Sequence, residues 1–149
     1  MTSAPTALTS EEGMLNMGRA VLAAQPFSVL IGAELVCLRK GYVQLQVPIT
    51  DKIRQQHGFV HGGVVSYAAD NALTYAGGSE LMASVVTSEF KINYVRPAIG
   101  EMLIARAKAV HVGKTQVVCT CEVFVQAAGT EKLCAIAQGT IALLPAPKQ

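Results

Sequence analysis

A chain of 149 residues can bury one substantial core, and a second domain is not expected. Apolar residues make up 51% and charged residues only 15%, so part of the apolar surface is expected to lie between subunits. The net charge of +2 comes from scattered Lys and Arg, which disfavours nucleic acid as a partner.

Residues 1–8 read as disordered. No charged segment followed by an apolar run stands near the start, and no apolar run reaches membrane-spanning length. The expectation is a soluble, cytoplasmic protein with no membrane partner. Thr9-Ser10-Glu11-Glu12 has the form of a capping box with Thr9 as cap. Met14, Leu15, Met17, Val21 and Leu22 then keep helical spacing to about residue 24, and Pro26 is expected to end the helix. Residues 33–38 and 42–47 read as strands joined by a turn at Arg39-Lys40-Gly41. In the second, Val43, Leu45 and Val47 alternate with Tyr42, Gln44 and Gln46, which buries one face.

Residues 55–78 are the centre of the chain. A polar, glycine-bearing loop turns at His61-Gly62-Gly63 into a run with helical character, closed by Gly77-Gly78. Its apolar residues are mostly small (Val64, Val65, Ala68, Ala69, Ala72, Leu73, Ala76), which lets a helix lie close against a sheet. Asp70 stands among them, and a carboxylate in such company is costly unless it has a use. Residues 84–96 alternate again, with Val86, Phe90, Ile92 and Tyr94 on one face and Thr87, Glu89, Lys91 and Asn93 on the other. Strands at 102–112, 116–125 and 133–144 follow as consecutive antiparallel hairpins. The reading is a single α+β domain over residues 1–149: about six antiparallel strands wrapped around one long helix, plus an N-terminal helix. The other sheet face and an edge then want a partner.

Cys37, Cys119, Cys121 and Cys134 lie in apolar strand patterns and read as buried free thiols. His57 and His61 are four apart, a zinc-pair spacing on a helix. Gly58, Gly62 and Gly63 break the helix there and no third ligand is suitably spaced, so no metal is expected. Asp70 and Thr74, at i and i+4, are expected on one helix face with Tyr67 and Gly63, lining a cleft. A helix start offers unpaired N–H groups and a positive dipole end, and glycine lets a carbonyl approach it closely.

His61-Gly62-Gly63, the acid eight residues after Gly62, the amide of Gln55 seven before it, and Asn93-Tyr94-Val95-Arg96-Pro97 resemble the hotdog-fold acyl-CoA thioesterases. The PaaI-like and 4-hydroxybenzoyl-CoA thioesterase groups are the most similar, over roughly residues 27–144. The resemblance implies a hotdog fold and hydrolysis of acyl-CoA, aryl- or phenylacetyl-type acyl groups included, without metal or redox cofactor. It further implies a homodimer or dimer of dimers. Gly62 looks like the glycine whose N–H polarises the thioester carbonyl, with Gln55 assisting. Asp70 looks like the catalytic carboxylate, as general base or nucleophile. Thr74 is similar to the hydroxyl one turn later, and Thr87 to a residue that positions the attacking water. His61, Gly63 and Tyr67 are expected around the substrate, His61 also fixing the loop. Gln55 departs from the Asn of many PaaI-like members, and Asp70 from the Glu of the hydroxybenzoyl type. Two other classes stay open: a hotdog hydratase or dehydratase using His61 and Asp70, and a non-catalytic acyl-CoA-binding module.

Overall fold

The computed structural model describes residues 10–148. Two of the sequence expectations, the disorder of residues 1–8 and the cap at Thr9, lie outside them. Ser10 is the N-cap, its hydroxyl accepting from the Gly13 N–H at 3.0 Å. Helix α1 (Glu11–Ala23) follows, and Pro26 does not simply stop it. Proline fits the first helical position, where no N–H is required, and it opens a short second helix, α2 (Pro26–Ile31).

Strands β1 (Glu34–Arg39) and β2 (Tyr42–Pro48) form the first hairpin, and a 3-10 turn at Asp51–Ile53 leads to helix α3 (Gly62–Leu81). Strands β3 (Val85–Tyr94), β4 (Met102–Val112), β5 (Gln116–Ala127) and β6 (Thr130–Leu143) complete one antiparallel sheet in the order β1-β2-β4-β5-β6-β3. The hairpins β4–β5 and β5–β6 are as expected, while β3 crosses over to pair with β6 and becomes an edge. The sheet wraps α3, and this is the hotdog arrangement the resemblance implied.

The core forms where the small face of α3 meets the concave side of the sheet. Val43, Leu45 and Val47 of β2, Leu103 and Ala105 of β4 and Val117 and Val123 of β5 are fully buried against Ala69, Ala72, Leu73 and Ala76. The helix does not close at Gly77-Gly78 but runs on to Leu81. The reason is tertiary: a Cβ on Gly77 would stand 2.6 Å from Ile141 Cβ, so glycine lets the helix seat on β6.

Strand β3 carries a bulge between Thr87 and Glu89. One extra residue shifts the parity, so Thr87 joins Phe90 and Ile92 on the helix-facing side, and Val86 turns outward, half-exposed. Uniform alternation had placed Val86 inside and Thr87 outside.

Candidate active site

The loop before α3 is held by its backbone. Arg54 and Val60 form an antiparallel bridge, the Gln55 N–H donates to Phe59 C=O at 2.9 Å, and His61 N–H donates to Ile53 C=O at 2.9 Å. His61 is the N-cap of α3, its Nδ1 accepting from the Gly63 N–H at 2.8 Å. The Val64 N–H goes to the His61 carbonyl at 2.9 Å. The Gly62 N–H has no acceptor among the described residues, so the positive end of a 20-residue helix presents one unpaired donor. Gln55 Oε1 accepts from the His57 N–H, which identifies the oxygen end of this amide and leaves its NH2 group to donate outward.

From Gly62 onward, every fourth residue of α3 faces β3. The Tyr94 hydroxyl donates to the Gly62 carbonyl at 3.1 Å and also hydrogen-bonds the Ser66 hydroxyl. One turn on, the Thr87 hydroxyl donates to Asp70 Oδ1 at 2.6 Å. Thr74 Oγ1 reaches the Asp70 carbonyl at 2.8 Å and Thr87 Oγ1 at 3.0 Å. The structure thus gathers Asp70, Thr74 and Thr87, and the β3 bulge is what aims Thr87 at the acid. Because the single Thr87 proton goes to Asp70, Thr87 can hold a water only as acceptor. Asp70 Oδ2 has no partner among the described residues and is open to a proton donor.

Two residues expected around the substrate, Tyr67 and Gly63, are engaged elsewhere. Tyr67 lies one helix line over and faces α2, where its hydroxyl meets Ser28 Oγ at 2.5 Å and accepts from Asn71 Nδ2 at 2.9 Å. Its ring stands edge-on to Phe27, at 5.2 Å between centroids. Burial pushes the Tyr67 phenol up, partly opposed by the Ser28 and Asn71 hydrogen bonds, so it stays neutral. The Gly63 N–H is taken by His61. His57, four residues before His61, stacks on Phe59. Gly62 and Asp70 share one helix but sit eight residues, or about 12 Å, apart along it, so one chain does not bring donor and acid to one carbon. Ser66 and Tyr94 were missed as site residues. The signal for Ser66 was there, since it lies four residues from both Gly62 and Asp70.

The family model of the thioesterase superfamily matches residues 57–132 of this chain. The chain is 30% identical over 115 residues to the 1,4-dihydroxy-2-naphthoyl-CoA hydrolase of Listeria monocytogenes serotype 1/2a (strain 10403S), covering 76% of this chain and 91% of the relative. It is 31% identical over 85 residues to the acyl-coenzyme A thioesterase PaaI of Escherichia coli (strain K12), covering 56% of this chain and 60% of the relative. Among solved structures, a thioesterase family protein from Silicibacter pomeroyi superposes with a TM-score of 0.81 at 38% identity, over 86% of this chain and 96% of that one.

Proposed function

We propose that this chain, which belongs to the thioesterase superfamily, hydrolyses the thioester of an acyl-coenzyme A to a free acid and coenzyme A. The observation that carries the reading is the pairing of an unpaired helix-start N–H at Gly62 with a carboxylate at Asp70 oriented by Thr87. The thioester oxygen accepts from the Gly62 N–H and the Gln55 amide as it becomes an oxyanion; losing one such donor typically lowers the rate roughly 100- to 1000-fold. Asp70 Oδ2 takes a proton from water while the water oxygen bonds to the carbonyl carbon. The C–S bond then breaks, and the departing thiolate receives the proton from Asp70. Direct attack by Asp70, giving a mixed anhydride that water cleaves, uses the same residues. Neither route draws on a metal or redox cofactor.

The site needs two chains. Strand β3 pairs with β6 on one side and is an edge of the described residues on the other; it carries the donor-side contact, Tyr94, at one end and the acid-side contact, Thr87, towards the other. Two copies related by a two-fold axis, β3 antiparallel to β3, would bring Gly62 of each towards Asp70 of its partner. The minimum assembly is therefore a homodimer, with the open sheet face left for a dimer of dimers. A panel of acyl-CoA substrates with a thiol-trapping reagent tests the reaction. Free coenzyme A from at least one substrate is expected. Loss of enoyl absorbance without free thiol would instead mark a hydratase, and binding without turnover a carrier.

A further inference from the structure

The first turn of α3 opens into two cavities. One, of about 310 Å³, is lined by Gly62, Val65, Tyr94, Val60, Ala98 and Cys134 among others. The second, of about 710 Å³, lies on the other side of the turn, between α2 and residues 48–54, and is reached by His61 and Val64. A thioester held at Gly62 has two arms to place, and the structure distinguishes the two spaces.

Resting on the thioesterase reading, we propose that the smaller cavity receives the acyl group and that Tyr94 sets its depth. The chain then selects thioesters of compact, apolar acyl groups over those of long alkyl chains. In the two-chain site the partner's Asp70 arrives across the β3 edge, the side on which Gly62 meets Tyr94, so the acyl carbon must sit on that side. The larger groove lies on the α2 side, away from that edge, where Tyr67 and Asn71 are occupied with Ser28 and Gln25. That side also has space beside Gly62. A Cβ on Gly62 would meet the Tyr94 ring at 3.6 Å, ordinary contact, so the protein's own packing does not demand glycine there. The room is left for a ligand atom.

The lining is apolar as well: the floor is Val60, Ala98 and Cys134, all buried, and among the described residues the one charged lining member is the exposed Arg96. Burial pushes the Cys134 thiol up to about 11, so it presents a neutral sulfur to an apolar group. The volume falls at the lower end of the roughly 300 to 1,000 Å³ that ligand clefts span, enough for a ring-sized group. Tyr94 is 54% exposed, yet its hydroxyl is tied to both the Gly62 carbonyl and Ser66, so the ring is a fixed wall of the cavity. Arg96, two residues on, lines the same cavity.

The test is kcat/KM across straight-chain acyl-CoAs from two to sixteen carbons, together with benzoyl- and phenylacetyl-CoA, for four proteins. These are the unaltered chain, Tyr94→Ala, Tyr94→Phe and, on the other groove, Leu30→Ser. The unaltered chain should prefer compact acyl groups. Tyr94→Ala should move the optimum to longer chains and raise the long-to-short ratio about tenfold or more, on the scale that one methylene carries in an apolar pocket. Tyr94→Phe keeps the ring and should keep the optimum, as should Leu30→Ser, whose side chain is 76% exposed on α2. Tyr94→Leu, checked for fold by circular dichroism, serves if Tyr94→Ala does not fold. A long-chain optimum in the unaltered chain, an optimum unmoved by loss of the ring, or one moved by Leu30→Ser would overturn the assignment. Coenzyme A release with an unchanged length profile refutes only this subsite, whereas no release from any thioester refutes the thioesterase reading and this inference together.

Discussion

On the side of α3 that faces the sheet, Ala68, Ala69, Ala72, Leu73 and Ala76 are all at most 1% exposed. On the side that faces β3, Gly62, Ser66, Asp70 and Thr74 are only half-buried, although the same helix carries both sets. The first side is closed by the chain's own sheet, through small residues that give close approach and large strand residues that fill the space. The second keeps hydroxyls and a carboxylate beside an edge strand whose outer side has no neighbour among the described residues. A fold can thus complete its core alone while leaving its chemistry-bearing line for something else to cover. Changes on one side should then act on stability, and changes on the other on turnover.

The largest expected effect is on the β3 side. Asp70→Asn keeps the shape and the acceptor for Thr87 but removes the proposed base. Coenzyme A release should fall by at least about 100-fold while the melting temperature barely moves. Near-normal turnover would take Asp70 out of the mechanism. Next is the sheet side, where Gly77→Ala places a methyl 2.6 Å from Ile141 Cβ. Overpacking of this kind costs about 1–3 kcal/mol, read as a lower urea midpoint with activity per folded molecule retained. Ile141→Ala removes the two Cγ atoms that would stand 2.9 Å from that methyl, so the double mutant should lose less than the sum of the two single losses, and strict additivity would mean the contact is not the cause.

Thr87→Val is a smaller and sharper probe. It keeps the volume and removes the proton given to Asp70, so kcat should drop about tenfold with KM little changed. An effect confined to KM would assign Thr87 to binding instead.

The smallest effect belongs to the outer sheet face, far from either side of α3. There Arg106 Nη1 and Glu131 Oε2 pair at 2.7 Å with both side chains about a third exposed. The Arg106 hydrogen bond holds the Glu131 carboxyl below its usual range. A depressed folded value means the pair adds stability above the unfolded carboxyl range, and that stability is lost as pH falls through the folded value. Glu131→Gln should cost no more than about 1 kcal/mol at neutral pH, and the difference from the unaltered chain should vanish in acid. A difference that persists there would mean that packing, not charge, is involved.

The sequence made the buried half of α3 legible because its small residues repeat at helical spacing, and β4 to β6 because clear turns separate long apolar strands, the register shifts at Ala109/His111 and Val123/Phe124 notwithstanding. The motif from Gln55 to Asp70 was legible because its spacing is a property of the chain. What was hidden depended on contacts distant in sequence. The continuation past Gly77 needs Ile141 to explain it, and the turn of Tyr67 towards α2 needs Ser28. The bulge in β3 shows only as a broken parity, and reading it as uniform alternation put Thr87 on the wrong face. Pro26 has two meanings, helix stop and helix start, that only the position of the following turn separates.

In the proposed two-chain site, Gly62 and Gln55 of one chain act with Asp70 of another. Two separately inactive proteins, Gln55→Ala and Asp70→Asn, can be mixed, with mass measurement establishing that mixed dimers have formed. In a mixed dimer one site carries both defects and the other none, so about a quarter of the unaltered activity should appear at random pairing. Were the groups to act within one chain, every site would keep one defect. No recovery of coenzyme A release in a mixture shown to contain mixed dimers would contradict the two-chain site.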